Sequence, residues 1–290
     1  MFKIVSDSSC DFTEQMTAKH DITIVPFYVT FDGTNYLKEG VDIKKEEYFK
    51  RLVTDKNTFP KTSQPNPQDY IEACVPHLEQ GFDLLILTIS SKLSQSNNSA
   101  NLAAKDLQEK HPGRKVIVID SLSVTIGQAL ILHEIIKLRD KGFELQAAAD
   151  FATSITKQGN LYFTLDTLEY LQRGGRIGKA SAMVGGLLNL KPVMNIVNGE
   201  VSPVTKVRSK SKAKGDILDR IASEVAGKTE DLNFMIVNIQ CPEEAEQWQK
   251  EIEQRLGITF DGPTLGAGTT IGTHTGPGGI GLGYVKKYKG

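Results

Sequence analysis

Two short apolar runs, "DLLILTIS" (83–90) and "KVIVID" (115–120), limit the fold of this chain more than any other feature. Each is nearly continuous in large aliphatic residues, so both faces of each must be buried. A helical segment from about Ser94 to Lys110 lies between them. Strands buried on two faces and joined by a helix belong to a parallel sheet covered on each side. "FKIV" (2–5) adds another short apolar run, and Thr13 is placed to cap the helix that follows it. "ITIVPFYVTF" (22–31) reads as extended and is turned back at Asp32-Gly33, and a helix is expected from near Asp42. "PKTSQPNPQDY" (60–70) reads as a proline-punctuated loop leading into another helix. Helices are predicted over 124–141 and 145–158.

The second half has a different texture. "LYFTL" (161–165) is followed by a short helix and then by "QRGGRIGKA" (172–180). "KPVMNIVNGEVSPV" (191–204) is a hairpin signal, because Asn198-Gly199 suits a type I′ turn. A polar helix from about Ser209, the strand "NFMIVNI" (233–239) and the helix "PEEAEQWQKEIEQRL" complete an α+β pattern. The expected fold is therefore α/β in two domains. A parallel-sheet domain covers 1–158, and a smaller α+β domain covers 159–290 and carries a glycine-rich loop at 272–284.

The 290 residues are enough for two cores, and a net charge of −1 gives no general attraction to nucleic acid or anionic membrane. Cys10, Cys74 and Cys241 are far apart and odd in number, which suits reduced thiols in a cytoplasm. No leader peptide and no apolar run of bilayer length is visible. The expectation is a cytoplasmic protein.

Ligands of open α/β sheets sit at the carboxyl ends of strands. Three predicted strands end there in hydroxyl-rich stretches: Ser6-Asp7-Ser8-Ser9, Ser90-Ser91 with Ser94, and Asp120-Ser121. Thr62 and Ser63 lie in a loop entering the next unit, and Ser94 is read as opening a helix whose N–H groups favour an anion. Capping and turn formation are the competing role for any one of these residues. GxSxG, Walker, HExxH and GxGxxG patterns are all missing. His20, His77, His111 and His133 lack ligand spacing and read as packing or surface residues. His274 stands apart because "THTGPGGIG" (273–281) surrounds it with glycines. In "RGGRIG" (173–178), Arg173 and Arg176 present paired guanidiniums suited to an anion or a partner's carboxylates, or else flank a glycine helix end. The basic run at 206–216 lacks interleaved aromatics and reads as a solvated helix start.

Taken in order, "VSDSSCD", "TSQPN", "SSKLSQSNNSA", "LEYLQRGGRIGKASA", "KPVMNIVNGEV" and "GTHTGPGGIGLGY" resemble the DegV family of bacterial fatty-acid-binding proteins, nearly end to end. The resemblance implies one long-chain fatty acid held between two α/β domains. It implies no cofactor and no catalysis by the chain itself. A separate fatty acid kinase subunit would make the acyl phosphate, and transient contact with a membrane is compatible with that role. Carried over by motif, Thr62 and Ser94 match carboxylate-binding hydroxyls, with Ser63 beside them, and His274 matches a histidine near the headgroup. Arg173 and Arg176 match arginines tied to the headgroup network and to kinase docking. The chain departs from the family pattern at Gln95-Ser96-Asn97, where a bulkier, more polar turn is expected to alter the pocket rim. Two other readings stand beside this one: a dihydroxyacetone-kinase-like subunit binding a small carbonyl compound through His274, and a nucleic-acid-binding regulator using 206–216.

Overall fold

The computed structural model describes residues 1–55, 59–186, 190–262 and 264–289, with side chains from 184 to 186 left aside. The first half of the chain runs β1 (Phe2–Asp7), α1 (Glu14–His20), β2 (Ile22–Val25), β3 (Tyr28–Thr30) and β4 (Leu37–Lys38). It continues through α2 (Lys45–Thr54), β5 (Lys61–Ser63), α3 (Pro67–Glu79), β6 (Asp83–Thr88) and α4 (Ser96–Lys110). β7 (Val116–Asp120), α5 (Ile126–Asp140) and α6 (Leu145–Ile155) close this half. The second half holds β8 (Asn160–Thr164), α7 (Glu169–Arg173), β9 (Lys191–Val197), β10 (Glu200–Val207) and α8 (Lys210–Glu224). It ends with β11 (Leu232–Asn238), α9 (Pro242–Leu256), β12 (Leu265–Gly266), α10 (Thr269–Thr275) and β13 (Ile280–Lys286).

β1, β2, β6 and β7 form an all-parallel sheet in the order β2-β1-β6-β7, as the continuous apolar runs require. Leu84, Leu85, Ile86 and Leu87 of β6 are fully buried between its two helical layers. A six-stranded sheet, β10-β9-β8-β13-β11-β12, uses only strands after residue 158 and is antiparallel except at β11–β12. The predicted hairpin is β9–β10, with Asn198 at φ 51° and Gly199 at φ 83°, both left-handed as a type I′ turn demands. Its tip docks on the other half of the chain, where Ser90 Oγ donates to the Gly199 carbonyl at 2.8 Å.

Three local expectations change. Pro26 divides the extended 22–31 stretch into β2 and β3, because proline has no N–H to give a ladder. Lys61–Ser63, read as loop, is a strand that pairs with β3, Val29 opposite Thr62, in a small sheet ordered β4-β3-β5. The glycine-rich loop begins with a helix, so His274 lies in the last turn of α10. Asn66 caps α3 in a reciprocal capping box with Asp69, and Pro67 sits in the first turn, where a missing N–H costs nothing.

Candidate functional site

α10 carries most of the site, and both halves of the chain hold it in place. Asp11 accepts a hydrogen bond from Gly268 N at 2.8 Å, and Glu39 accepts from Thr270 N at 3.1 Å and Thr270 Oγ1 at 2.7 Å. These carboxylates satisfy N–H groups that the first helical turn leaves open. Tyr48 Oη meets Thr273 Oγ1 at 2.7 Å on the buried side. Thr270, Ile271, His274 and Thr275 then face a cavity of about 860 Å³ of empty space, its mouth included. A larger groove beside α1 and α2 holds about 1630 Å³, but it is more open and lined by charges of both signs. The less open, largely apolar cavity is the one suited to a specific small ligand.

The cavity lies against one face of the six-stranded sheet, lined there by Leu161, Phe163, Leu165, Ile196, Val201 and Val237. Ile89 and Val124, just past the carboxyl ends of β6 and β7, and Thr62 of β5 close it from the other side. The cavity thus opens at the carboxyl ends of β6 and β7, the strand ends at which the hydroxyl-rich stretches gather.

Polar groups gather at one end. Thr62 Oγ1 and His274 Nε2 are 2.8 Å apart. His274 Nδ1 is closed off from solvent and has no hydrogen-bond partner among the described residues. The ring fits there because residue 174 is glycine: a Cβ at that position would lie 2.2 Å from Nδ1. Burial holds the imidazole down at about 4, and the Arg176 guanidinium pushes the same way. Arg176 lines the mouth, its Nε donating to the Leu93 carbonyl at 3.1 Å and its Nη1 to the Gly174 carbonyl at 2.7 Å. Ser94 also lines the cavity, and its Oγ accepts from Ser96 N at 3.2 Å.

Other sequence candidates lie elsewhere. Strand alternation sends Thr62 into the cavity, while Ser63 is outside its lining. Arg173 points away from the mouth, pairing with Glu169 at 2.8 Å and stacking 3.5 Å from the centroid of the Phe59 ring. Ser94 does not open α4, which starts two residues later with Gln95 as its cap. Gly276 N and Gly278 N bond inward to the carbonyls of Gly272 and Ile239, at 2.9 and 2.7 Å, so these two N–H groups are not offered to an anion. At Gly276 a Cβ would strike the Tyr170 ring and at Gly278 the Asp166 carboxylate, so close packing explains these glycines. The Gln95-Ser96-Asn97 turn adds nothing to the rim. Ser96 Oγ donates to Asp7, Asn97 Nδ2 donates to Thr88 Oγ1, and none of the three lines the cavity.

Gln64, Thr125, Thr270 and Thr275 also line the cavity and were not singled out from sequence. The signal for the last two is the helical spacing of Thr270, His274 and Thr275, which the glycines at 276, 278 and 279 mask in the sequence. In the basic run, Lys210 and Lys214 pair with Glu244 at 2.5 and 3.2 Å and are largely buried, so this helix start is less solvated than expected. No group of metal-ligating side chains occurs among the described residues, and no described helix is long and apolar enough to cross a membrane.

The state of His274 gives a first prediction. A base held below its ordinary value stays neutral in the fold while the unfolded chain takes up a proton. Stability should therefore fall as pH drops from 6.5 towards about 4. Unfolding midpoints measured across that window should lose part of this acid sensitivity in His274→Gln. An imidazole NMR titration near 6.5 in the ligand-free protein would contradict the closed geometry.

Fold and cavity together define an α/β protein in which a largely apolar cavity against the six-stranded sheet carries a cluster of hydroxyl, imidazole and guanidinium groups. A family model described as "uncharacterised protein, DegV family" matches residues 1–287, and the chain belongs to the DegV family. A DegV domain-containing protein of Deinococcus radiodurans is 31% identical over 279 residues, covering 96% of each chain. The solved structure of a stearic-acid-binding protein from Eubacterium ventriosum is 34% identical, with a TM-score of 0.94 over 99% of each chain. The fatty-acid-binding DegV family protein of Thermus thermophilus is 29% identical, with a TM-score of 0.89 over 98% of this chain and 99% of its own.

Proposed function

We propose that this protein binds one long-chain fatty acid in the cavity, carboxylate at the Thr62–His274–Arg176 end, and presents it to a separate kinase. The observation that carries the reading is the polarity of the cavity, apolar along the sheet and polar at one end. The stearic-acid-binding and other fatty-acid-binding relatives add to its support. A small carbonyl substrate would leave the apolar lining without a partner.

The tail supplies most of the affinity. Burying about fourteen methylenes at about 0.8 kcal/mol each contributes about 11 kcal/mol, against about 1.5–3 for a hydrogen bond to a charged group. The head supplies orientation. If His274 donates from Nε2 to Thr62 Oγ1, the Thr62 hydroxyl hydrogen is free to donate to a carboxylate oxygen. Ser94 offers a second hydroxyl, and Arg176 retains Nη2 hydrogens at the mouth for the carboxylate and for a phosphate added to it. In that reaction a carboxylate oxygen attacks the terminal phosphorus of ATP, the bond to ADP breaks, and an acyl phosphate remains in the cavity. The carrier needs no cofactor of its own, works in the cytoplasm, and exchanges its ligand in transient contact with a membrane.

The direct test is organic extraction of the purified protein followed by mass spectrometry, with added palmitate or oleate as a binding probe. No extracted lipid together with no binding would sink the reading. A narrower prediction concerns the clamp: the double variant Thr62→Ala, Ser94→Ala should weaken binding by about 1–2 kcal/mol per lost bond and stay folded. Unchanged affinity in calorimetric titration would remove both hydroxyls from the clamp.

A further inference from the structure

We propose that Leu161 and Ile196 form a partition that ends the acyl cavity and sets the longest tail it accepts. The inference rests on the fatty-acid reading above and deepens it. Both side chains line the ligand cavity, and both also line a second cavity of about 660 Å³ on their far side. That neighbour has a different chemistry: Ser123, Thr156, Lys157 and Asn198 are among its walls. Leu161 is 2% exposed and Ile196 8%, so both side chains are buried where the two cavities meet.

The sheet register puts this wall at the opposite end of β8 from Leu165. Tyr162 lies opposite Asn195 and Phe163 opposite Met194, so the next pair outward is Leu161 with Ile196. Ile196 in turn lies opposite Val201 on β10, and the three side chains make one row across three strands. Along β8 and the residue that follows it, Leu161, Phe163 and Leu165 share a face, and four residues of strand span about 13 Å. The polar end lies beyond Leu165, because α10 runs through a short glycine turn into β13, whose first residue, Ile280, pairs with Thr164. A tail starting at His274 and following the sheet therefore meets Leu161 and Ile196 last. Past them its methylenes would leave an apolar lining for one that includes Ser123, Thr156, Lys157 and Asn198.

Shortening the wall should admit longer tails, and thickening it should exclude them. The experiment loads the full-length parent, Leu161→Ala and Ile196→Phe with an equimolar mixture of saturated fatty acids of graded length, then reads occupancy by native mass spectrometry. In Leu161→Ala the preference should move to longer acids, by about fourfold for each methylene newly buried. In Ile196→Phe it should move to shorter ones. Because Leu161→Ala removes core volume, circular dichroism checks its folding, and Ile196→Phe, which removes none, decides the question if the alanine variant unfolds. A parent that binds, with the same length profile in every folded variant, overturns the partition alone. A parent that binds no acid of any length overturns the proposed function, and this inference with it.

Discussion

Replacing Asp7 with alanine is expected to lower stability by about 4 kcal/mol or more, near the extreme for one substitution. The carboxylate is fully buried at the end of β1 and receives four hydrogen bonds. Ser9 Oγ and Gln128 Nε2 donate to Oδ1, and Ile89 N and Ser96 Oγ donate to Oδ2 at 3.0 and 2.8 Å. Alanine would strand the Ile89 N–H, and Ser9, Gln128 and Ser96 would lose a charged acceptor and keep only Gln128 Oε1, Ser6 Oγ and Tyr70 Oη, at about 1.5–3 kcal/mol for each bond to the carboxylate. Burial pushes the Asp7 pKa up, while the four donors pull it down. Asp7→Asn should lose less, since one oxygen remains to accept. Urea unfolding followed by circular dichroism measures both variants. A loss below about 1 kcal/mol in Asp7→Ala would mean that the network does not hold the strand ends together. The effect should reach the ligand as well: Asp7 ties β1 to the residue after β6 and to the start of α4, and Ser94 sits two residues before α4.

That network also explains how far the sequence could be read. The parallel sheet was legible because a run such as "DLLILTIS" has few other ways to be buried, and the β9–β10 hairpin because Asn-Gly has a strong backbone preference. The hydroxyls at the strand ends were visible, but their partners were not. Ser9, Ser90 and Ser96 are spent on Asp7, the Gly199 carbonyl and other interior groups, and Thr62 and Ser94 reach the cavity. Sequence spacing cannot separate a hydroxyl satisfied inside from one left facing a ligand, because the difference is made by residues far away in the chain. The same holds for the glycines at 276 and 278, whose N–H groups close on the protein's own carbonyls, and for Gly174, which makes room for an imidazole a hundred positions later. Lys61–Ser63 was hidden for a related reason. A three-residue strand has too few alternations to register, and only its pairing with β3 defines it.

The separation of Arg176 from Arg173 leads to a different outcome for each, on the proposal that a kinase acts on the bound acid. Arg176→Ala should leave fatty-acid occupancy within about 1 kcal/mol of the parent, because it sits at an exposed rim and the buried tail dominates affinity. Acyl-phosphate formation should nevertheless fall about 100-fold or more, the scale of losing one preorganised donor to charge that develops during transfer. The geometry supports this. The bonds from Arg176 Nε and Nη1 to the Leu93 and Gly174 carbonyls fix its fork at the mouth, beside His274, which stays neutral and cannot replace a cation. Arg176→Lys should recover only part of the rate, since a lysine keeps the charge but not the planar fork. Arg173 is spoken for by Glu169 and Phe59 outside the cavity, so Arg173→Ala should leave turnover at saturating kinase near normal and change only the concentration of kinase needed. Each variant is loaded with labelled oleate, its occupancy is confirmed, and product is followed with kinase and ATP. Full turnover in Arg176→Ala would show that the guanidinium serves only to close the α7 end, whereas lost occupancy would make it part of the primary carboxylate clamp.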